Sequence, residues 1–283
     1  LDFPVVAIPL RFVLPLLRKG CDLNGLRKVF GLGDDVLPIL LGVARDYVLE
    51  NYWANRSEFG WPARLAQLGF QTATSPNYSF FQDAPGSDII YNRRRILITS
   101  GELSSAGIST IPHLNALTPS DWKYWSSLLS QQTDIVYIAK EFQTGLHHSE
   151  EGRNAIYELV RLQDRVGREL RPVIVGGTQH LELVARYFKY PTFIESSSFM
   201  RTVKRRRAIL VDNRLRWHPE LTPKGEPLDD LLSHNVKLTD QCIRERWQNA
   251  PTTVPSDVRV KKSHIRRAVR PSSVSSSQMA FRF

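Results

Sequence analysis

Short apolar runs alternate with amphipathic stretches along most of this chain. "PILLGVARD" (38–46) is an apolar run that ends in charge and reads as a buried strand. "GWPARLAQLGF" (60–70) has helical spacing, with Pro62 in the first turn, where its missing N–H costs nothing. "QTATSPNYSFF" (71–81) reads as a strand running into a loop, and "DAPGSD" (83–88) is turn chemistry. The pattern then becomes regular. It predicts a helix ending near Gly107, a strand over 108–117, a helix over 118–131 and a strand over 134–142. A long helix over 149–170, a strand over 171–177, a helix over 178–188 and a strand over 191–199 follow. Thr118, Pro119 and Asp121 place an N-cap, a first helical position and a capping acid at the expected offsets. Residues 1–37 read as an approach segment with one or two short helices.

Strands alternating with amphipathic helices define an α/β protein with a parallel sheet and crossover helices. About six such repeats by residue 200 fit a TIM-barrel-like fold, complete or incomplete, better than a Rossmann sheet. No G-x-G-x-x-G follows the first strand and no Walker A occurs, so no nucleotide cofactor is implied. The barrel-like domain is expected over 38–218, a C-terminal helical extension over 219–250 and a disordered basic tail over 251–283.

Charge changes the picture. The net charge is +10. Residues 251–283 hold seven Lys/Arg and one acid, a balance of +6, which leaves +4 for residues 1–250. Such a surplus suits a polyanion. Cys21 and Cys242 are too few for a disulfide framework or a Cys-rich zinc site, and a cytoplasmic setting is expected. The apolar opening over 1–20 carries Asp2, Arg11 and three prolines, too interrupted for a membrane span and without a signal peptide's layout.

In a parallel barrel the reacting groups sit at the C-terminal ends of the strands. That rule selects Asn77 and Tyr78, His113 and Asn115, Lys140 and Glu141, Gly176, Gly177 and Gln179, and Glu195 and Ser196. Glu195 is the candidate nucleophile or base, with His113 and Lys140 or Glu141 assisting. Periodicity does not decide which of Lys140 and Glu141 faces the mouth, because apolar residues precede both. Gly176–Gly177 offers a backbone nest for an anion or simply a tight turn. Tyr78 is a candidate for stacking on a base. "MRTVKRRR" (200–207) reads as a basic helix with Arg201, Lys204 and Arg205 on one face, and "YNRRR" (91–95) adds Arg93 and Arg94 as phosphate contacts. His147–His148 has no further ligand at metal spacing, so no metal is expected. No G-x-S-x-G elbow occurs.

"TSPNYSFFQDAP…YNRRR" followed by "GISTIP" resembles a bacterial and phage domain family of unknown function, which carries S-P-D-x-S, N-R-x-R and G-x-x-x-I-P blocks in that order. More distantly, the order of elements is similar to the tRNA-guanine transglycosylase superfamily. There a strand like "FIESSSFMRTVKRRR" ends in the nucleophilic Asp, and Glu195 stands at that place. The resemblance implies a barrel of phage or mobile-element type that acts on nucleic acid, tRNA or DNA, by exchanging or modifying a base. A non-catalytic nucleic-acid-binding module and a small-molecule lyase or aldolase with Lys140 as Schiff base are the alternatives. No cofactor and no membrane partner are implied.

Overall fold

The computed structural model describes residues 5–143, 146, 149–212, 214–223 and 225–251. The expected tail beyond Pro251 and the His147–His148 pair lie outside them. Seven parallel strands follow one another in space in the order in which they occur in the chain. β1 (Val5–Pro9), β2 (Leu37–Leu41), β3 (Thr72–Thr74) and β4 (Ser109–Ile111) form one sheet. β5 (Tyr137–Glu141), β6 (Arg171–Val175) and β7 (Thr192–Ile194) form a second. Among the described residues a single parallel bridge, His113 to Ala139, joins the two. The fold is therefore barrel-like α/β, and among the described residues no ladder joins β7 back to β1.

Helices connect the strands. α1 (Leu10–Arg18) and α2 (Leu23–Phe30) follow β1, and α3 (Asp46–Asn55) and α4 (Trp61–Gln67) follow β2. α5 (Gly86–Ser105), α6 (Pro119–Gln131), α7 (Ser149–Val166) and α8 (Leu181–Tyr187) separate the later strands. Strand alternation explains the core. Ile8, Leu40, Ala73, Ile138 and Ile174 share the helix-facing side of the sheets and are buried with Leu49, Trp61, Trp125 and Leu159. On the opposite side Ala7, Ile39 and Ile111 are half-buried, whereas Leu41, Thr74, Ala139, Val173 and Val175 are buried. The α6 N-terminus folds as expected: Thr118 and Asp121 form the reciprocal capping box, with Pro119 at the first helical position.

Several elements differ from expectation. Residues 1–37 contribute a strand, β1, and not only short helices. The expected strand over 108–117 keeps its ladder with β3 only over Ser109–Ile111, because the next donor, the His113 N–H, goes to the Ser75 hydroxyl and not to a backbone carbonyl. The expected strand over 191–199 ends at Ile194, because the serines that follow open a helix, α9 (Ser197–Val203). That helix stops before the run of arginines. Arg205 takes a left-handed φ of 51° and turns the chain into an antiparallel ribbon of β8 (Arg206–Val211) and β9 (Arg214–Pro219). So Arg201, Lys204 and Arg205 do not form one helical face. The last helix, α10 (Asp229–Gln248), covers the expected extension. No helix among the described residues is long and apolar enough to cross a membrane.

Candidate functional site

The C-terminal ends of β2 to β5 are laced together by polar groups. The Gly42 N–H donates to Thr74 Oγ1 at 2.8 Å, and a side chain at residue 42 would collide with the Ser75 carbonyl. The Ser75 hydroxyl accepts from the His113 N–H at 2.9 Å. His113 Nδ1 lies 2.7 Å from the Ser75 carbonyl, so Nδ1 carries the proton and Nε2 is left with no partner among the described residues. The ring is fully buried. Burial, opposed by the bond to Ser75 and assisted by Lys140, lowers its pKa to about 4. His113 is thus a neutral, sealed imidazole at the bridge between the sheets.

The bridge also resolves the Lys140–Glu141 ambiguity. His113 pairs with Ala139, so Glu141 follows Ala139 on the inner side and Lys140 follows Ile138 towards the helices. Lys140 Nζ donates to the Leu114 carbonyl at 2.9 Å and lies 5.8 Å from the Trp122 ring. Burial lowers its pKa to about 8, with Glu141 opposing. It stands away from the mouth, packed against α6. Asn77 and Asn115 bind each other: Asn115 Nδ2 donates to Asn77 Oδ1 at 2.7 Å and to the Tyr78 carbonyl at 2.8 Å. Tyr78 does not offer a stacking face. It is 2% exposed, with the Arg95 guanidinium 3.9 Å from its ring and Trp53 against its edge.

A second polar group forms at the ends of β5 to β7. Glu195 accepts from the Thr178 hydroxyl at 3.1 Å through one oxygen and from the Ser197 N–H through the other. It therefore links the start of α9 to the turn after β6. Gln143 Nε2 donates to Ser196 Oγ at 2.9 Å, and the Gln143 N–H donates to Glu141. Gly176 and Gly177 both have φ of 73°, the conformation of a tight turn, and the Gly176 N–H is bonded to the Ile194 carbonyl at 2.9 Å. Gln179 lies in that same turn, within a 3-10 segment from Thr178 to His180. Glu195, Ser196 and Glu141 are half-buried, so this group meets solvent where the β2–β5 group does not. Among the described residues no three His, Cys, Asp or Glu gather in a way that could hold a metal ion.

The expected basic contacts separate. Arg93 is spent inside the fold, with Nη1 2.9 Å from Asp121 and its guanidinium 4.0 Å from the Tyr124 ring. Burial pushes the Asp121 carboxyl up, but hydrogen bonds from Thr118 and Leu117, with Arg93 alongside, hold it below its usual range. Arg94 is exposed. Arg95 is buried, bidentate to Glu50 at 2.8 Å and stacked on Tyr78. Arg201 lies 5.9 Å from the Trp217 ring, Lys204 is exposed, and Arg205 bonds to Thr222.

The sequence reading passed over the ribbon and the residue that fixes it. On β8 and β9 the side chains alternate. Ala208, Leu215 and Trp217 share the more buried face. Arg207, Arg214, Arg216 and His218 share the other, with Ile209 and Val211 among them. Arg207 is paired with Glu220 at 2.9 Å, whereas Arg214 and Arg216 stand exposed. Fully buried Asn235, on α10, seals the free edge of β8. Its Oδ1 accepts from the Ala208 N–H at 2.7 Å, and its Nδ2 donates to the Arg206 carbonyl at 2.8 Å and to Thr202 Oγ1 at 2.8 Å.

No family model matches the chain, and no curated protein matches it. Among solved structures it is similar to a xylose isomerase domain protein from Alicyclobacillus acidocaldarius subsp. acidocaldarius, at 11% identity and a TM-score of 0.36. The match spans 86% of this chain and 89% of that one. At that level of similarity neither activity nor residues transfer from one protein to the other.

Proposed function

We propose that this protein binds nucleic acid through the basic ribbon of β8 and β9, in a cytoplasmic setting of the phage or mobile-element kind that the motif resemblance implies. The observation that carries the reading is the arginine-lined outer face of the ribbon. That face carries Arg207, Arg214 and Arg216, of which Arg207 is paired with Glu220 and Arg214 and Arg216 stand exposed. A two-stranded antiparallel ribbon fits the major groove of duplex DNA, and arginines on its outward face meet phosphates or guanine edges. Asn235 holds the ribbon rigid, which keeps the ordering cost of binding low. Fluorescence-anisotropy titration of residues 1–251 against tRNA, single-stranded DNA and duplex DNA at two salt concentrations tests it. In Arg214→Glu/Arg216→Glu the affinity should fall at least tenfold, and the salt slope should flatten by roughly 2, one for each lost phosphate contact. Unchanged binding and slope in that variant would sink the proposal.

Base exchange at Glu195 is a second reading, favoured by the position of its half-buried carboxylate at a strand end beside Thr178, Gln143 and Ser196. In Glu195→Gln the side-chain oxygen still accepts from the Ser197 N–H and the amide can donate to Thr178. The fold should therefore hold while turnover on the bound polymer disappears. Full turnover in this variant removes Glu195 as nucleophile.

A further inference from the structure

The N-terminal ends of β5 to β7 carry an open cleft of about 420 Å³ that the strand-end rule does not cover. Its volume falls within the range of small-ligand sites, roughly 300–1,000 Å³. Tyr137 opens β5, Arg171 opens β6, Lys189 and Tyr190 precede β7, and Trp247 reaches in from the last turn of α10. Two of the three rings are held out to solvent: Tyr137 is 43% exposed and Tyr190 47%. The cations are interleaved with them. The Arg171 guanidinium lies 5.6 Å from the Tyr137 ring and 5.0 Å from the Tyr190 ring, and Lys189 Nζ lies 4.9 Å from Tyr190. Arg171 Nη1 also donates to the Tyr137 hydroxyl at 3.2 Å, which fixes both side chains. One acid, Glu169, sits 3.7 Å from Arg171 and does not balance the two cations.

We propose that this cleft takes an unstacked base of a single-stranded nucleic acid, stacked on a tyrosine, with the adjoining phosphate on Arg171 and Lys189. The inference rests on the nucleic-acid reading above but uses a different surface. Aromatic rings supply a stacking platform that any base can use, and the cations supply the backbone contact.

The full chain is titrated with labelled oligothymidylate and with an abasic oligomer of the same length, which keeps the phosphates and lacks the bases. The wild type should prefer the oligothymidylate. Tyr137→Ala/Tyr190→Ala should lose roughly tenfold in affinity for it and keep its affinity for the abasic strand. Tyr137→Phe/Tyr190→Phe, which keeps the rings and loses the hydroxyl that holds Arg171, should keep the preference for the oligothymidylate over the abasic strand. Arg214→Glu/Arg216→Glu should weaken both oligomers equally and keep the preference. Equal wild-type affinity for the two oligomers overturns the cleft and leaves the ribbon standing, and so does a preference that survives loss of both rings. Absence of binding to any polymer overturns both.

Discussion

Single residues do work here that their type alone conceals. His113 is the clearest case. Its folded pKa of about 4 lies below the ordinary histidine value of about 6.5, so between those limits the unfolded chain binds the proton and the folded chain does not. Stability then rises with pH through this window and falls as the solution is acidified from about 6.5 towards 4. The full effect is on the order of 3 kcal/mol. His113→Asn keeps a donor for the Ser75 carbonyl and removes the titration. Chemical denaturation across pH 4 to 7 should show a shallower acid loss in the variant, and parallel profiles would mean that the histidine is not a buried neutral ring. Lys140 illustrates why the sequence left its choice open. Apolar neighbours flank both Lys140 and Glu141, and only the register set by the His113–Ala139 bridge sends the lysine to the helices. Arg95 was within reach of sequence reasoning. It falls in step with Thr99 and Leu103 on the buried stripe of α5, and that spacing separates it from exposed Arg94.

Among the elements, the ribbon departs most from what the sequence suggests. A run of cations after an apolar strand reads equally well as helix or strand, and the left-handed turn at Arg205 is not encoded by a glycine. Asn235 was equally hidden, because one polar residue in an amphipathic helix looks like a solvated position until its partner strand is known. The role it takes is to satisfy the exposed edge of β8 with a side chain, where an edge strand would otherwise invite pairing. Asn235→Ala leaves the buried Ala208 N–H and the half-buried Arg206 carbonyl without partners. It should cost roughly 2–4 kcal/mol. Thermal unfolding should report the loss, and faster amide exchange confined to β8, β9 and α9 should accompany it. Uniform exchange throughout the chain would mean that the clamp is not local. By contrast, α6 was fully legible, since Thr118, Pro119 and Asp121 state the cap in three residues.

At the scale of the whole molecule, the alternation of strands and helices was enough to give parallel α/β order and a barrel-like course. It did not give closure, because closure depends on whether the first and last strands meet, and no local pattern records that. It also missed β1, whose five residues run directly into α1 without a polar break. The strand-end rule collected positions that do lie at the ends of the strands and overestimated their openness. Those of β2 to β5 are sealed by hydrogen bonds, those of β5 to β7 are half-open, and a cluster of aromatic and basic groups, Tyr137, Arg171, Lys189 and Tyr190, lies at the opposite end of the strands. Among the described residues, each parallel strand neighbours the next in the chain, and one bridging pair, His113 and Ala139, joins the two sheets. Each sheet is therefore made from an uninterrupted length of polypeptide. During synthesis the first four strands can associate before the last three have left the ribosome. The joining of the two halves at His113 would then be a late event, a docking of parts already formed.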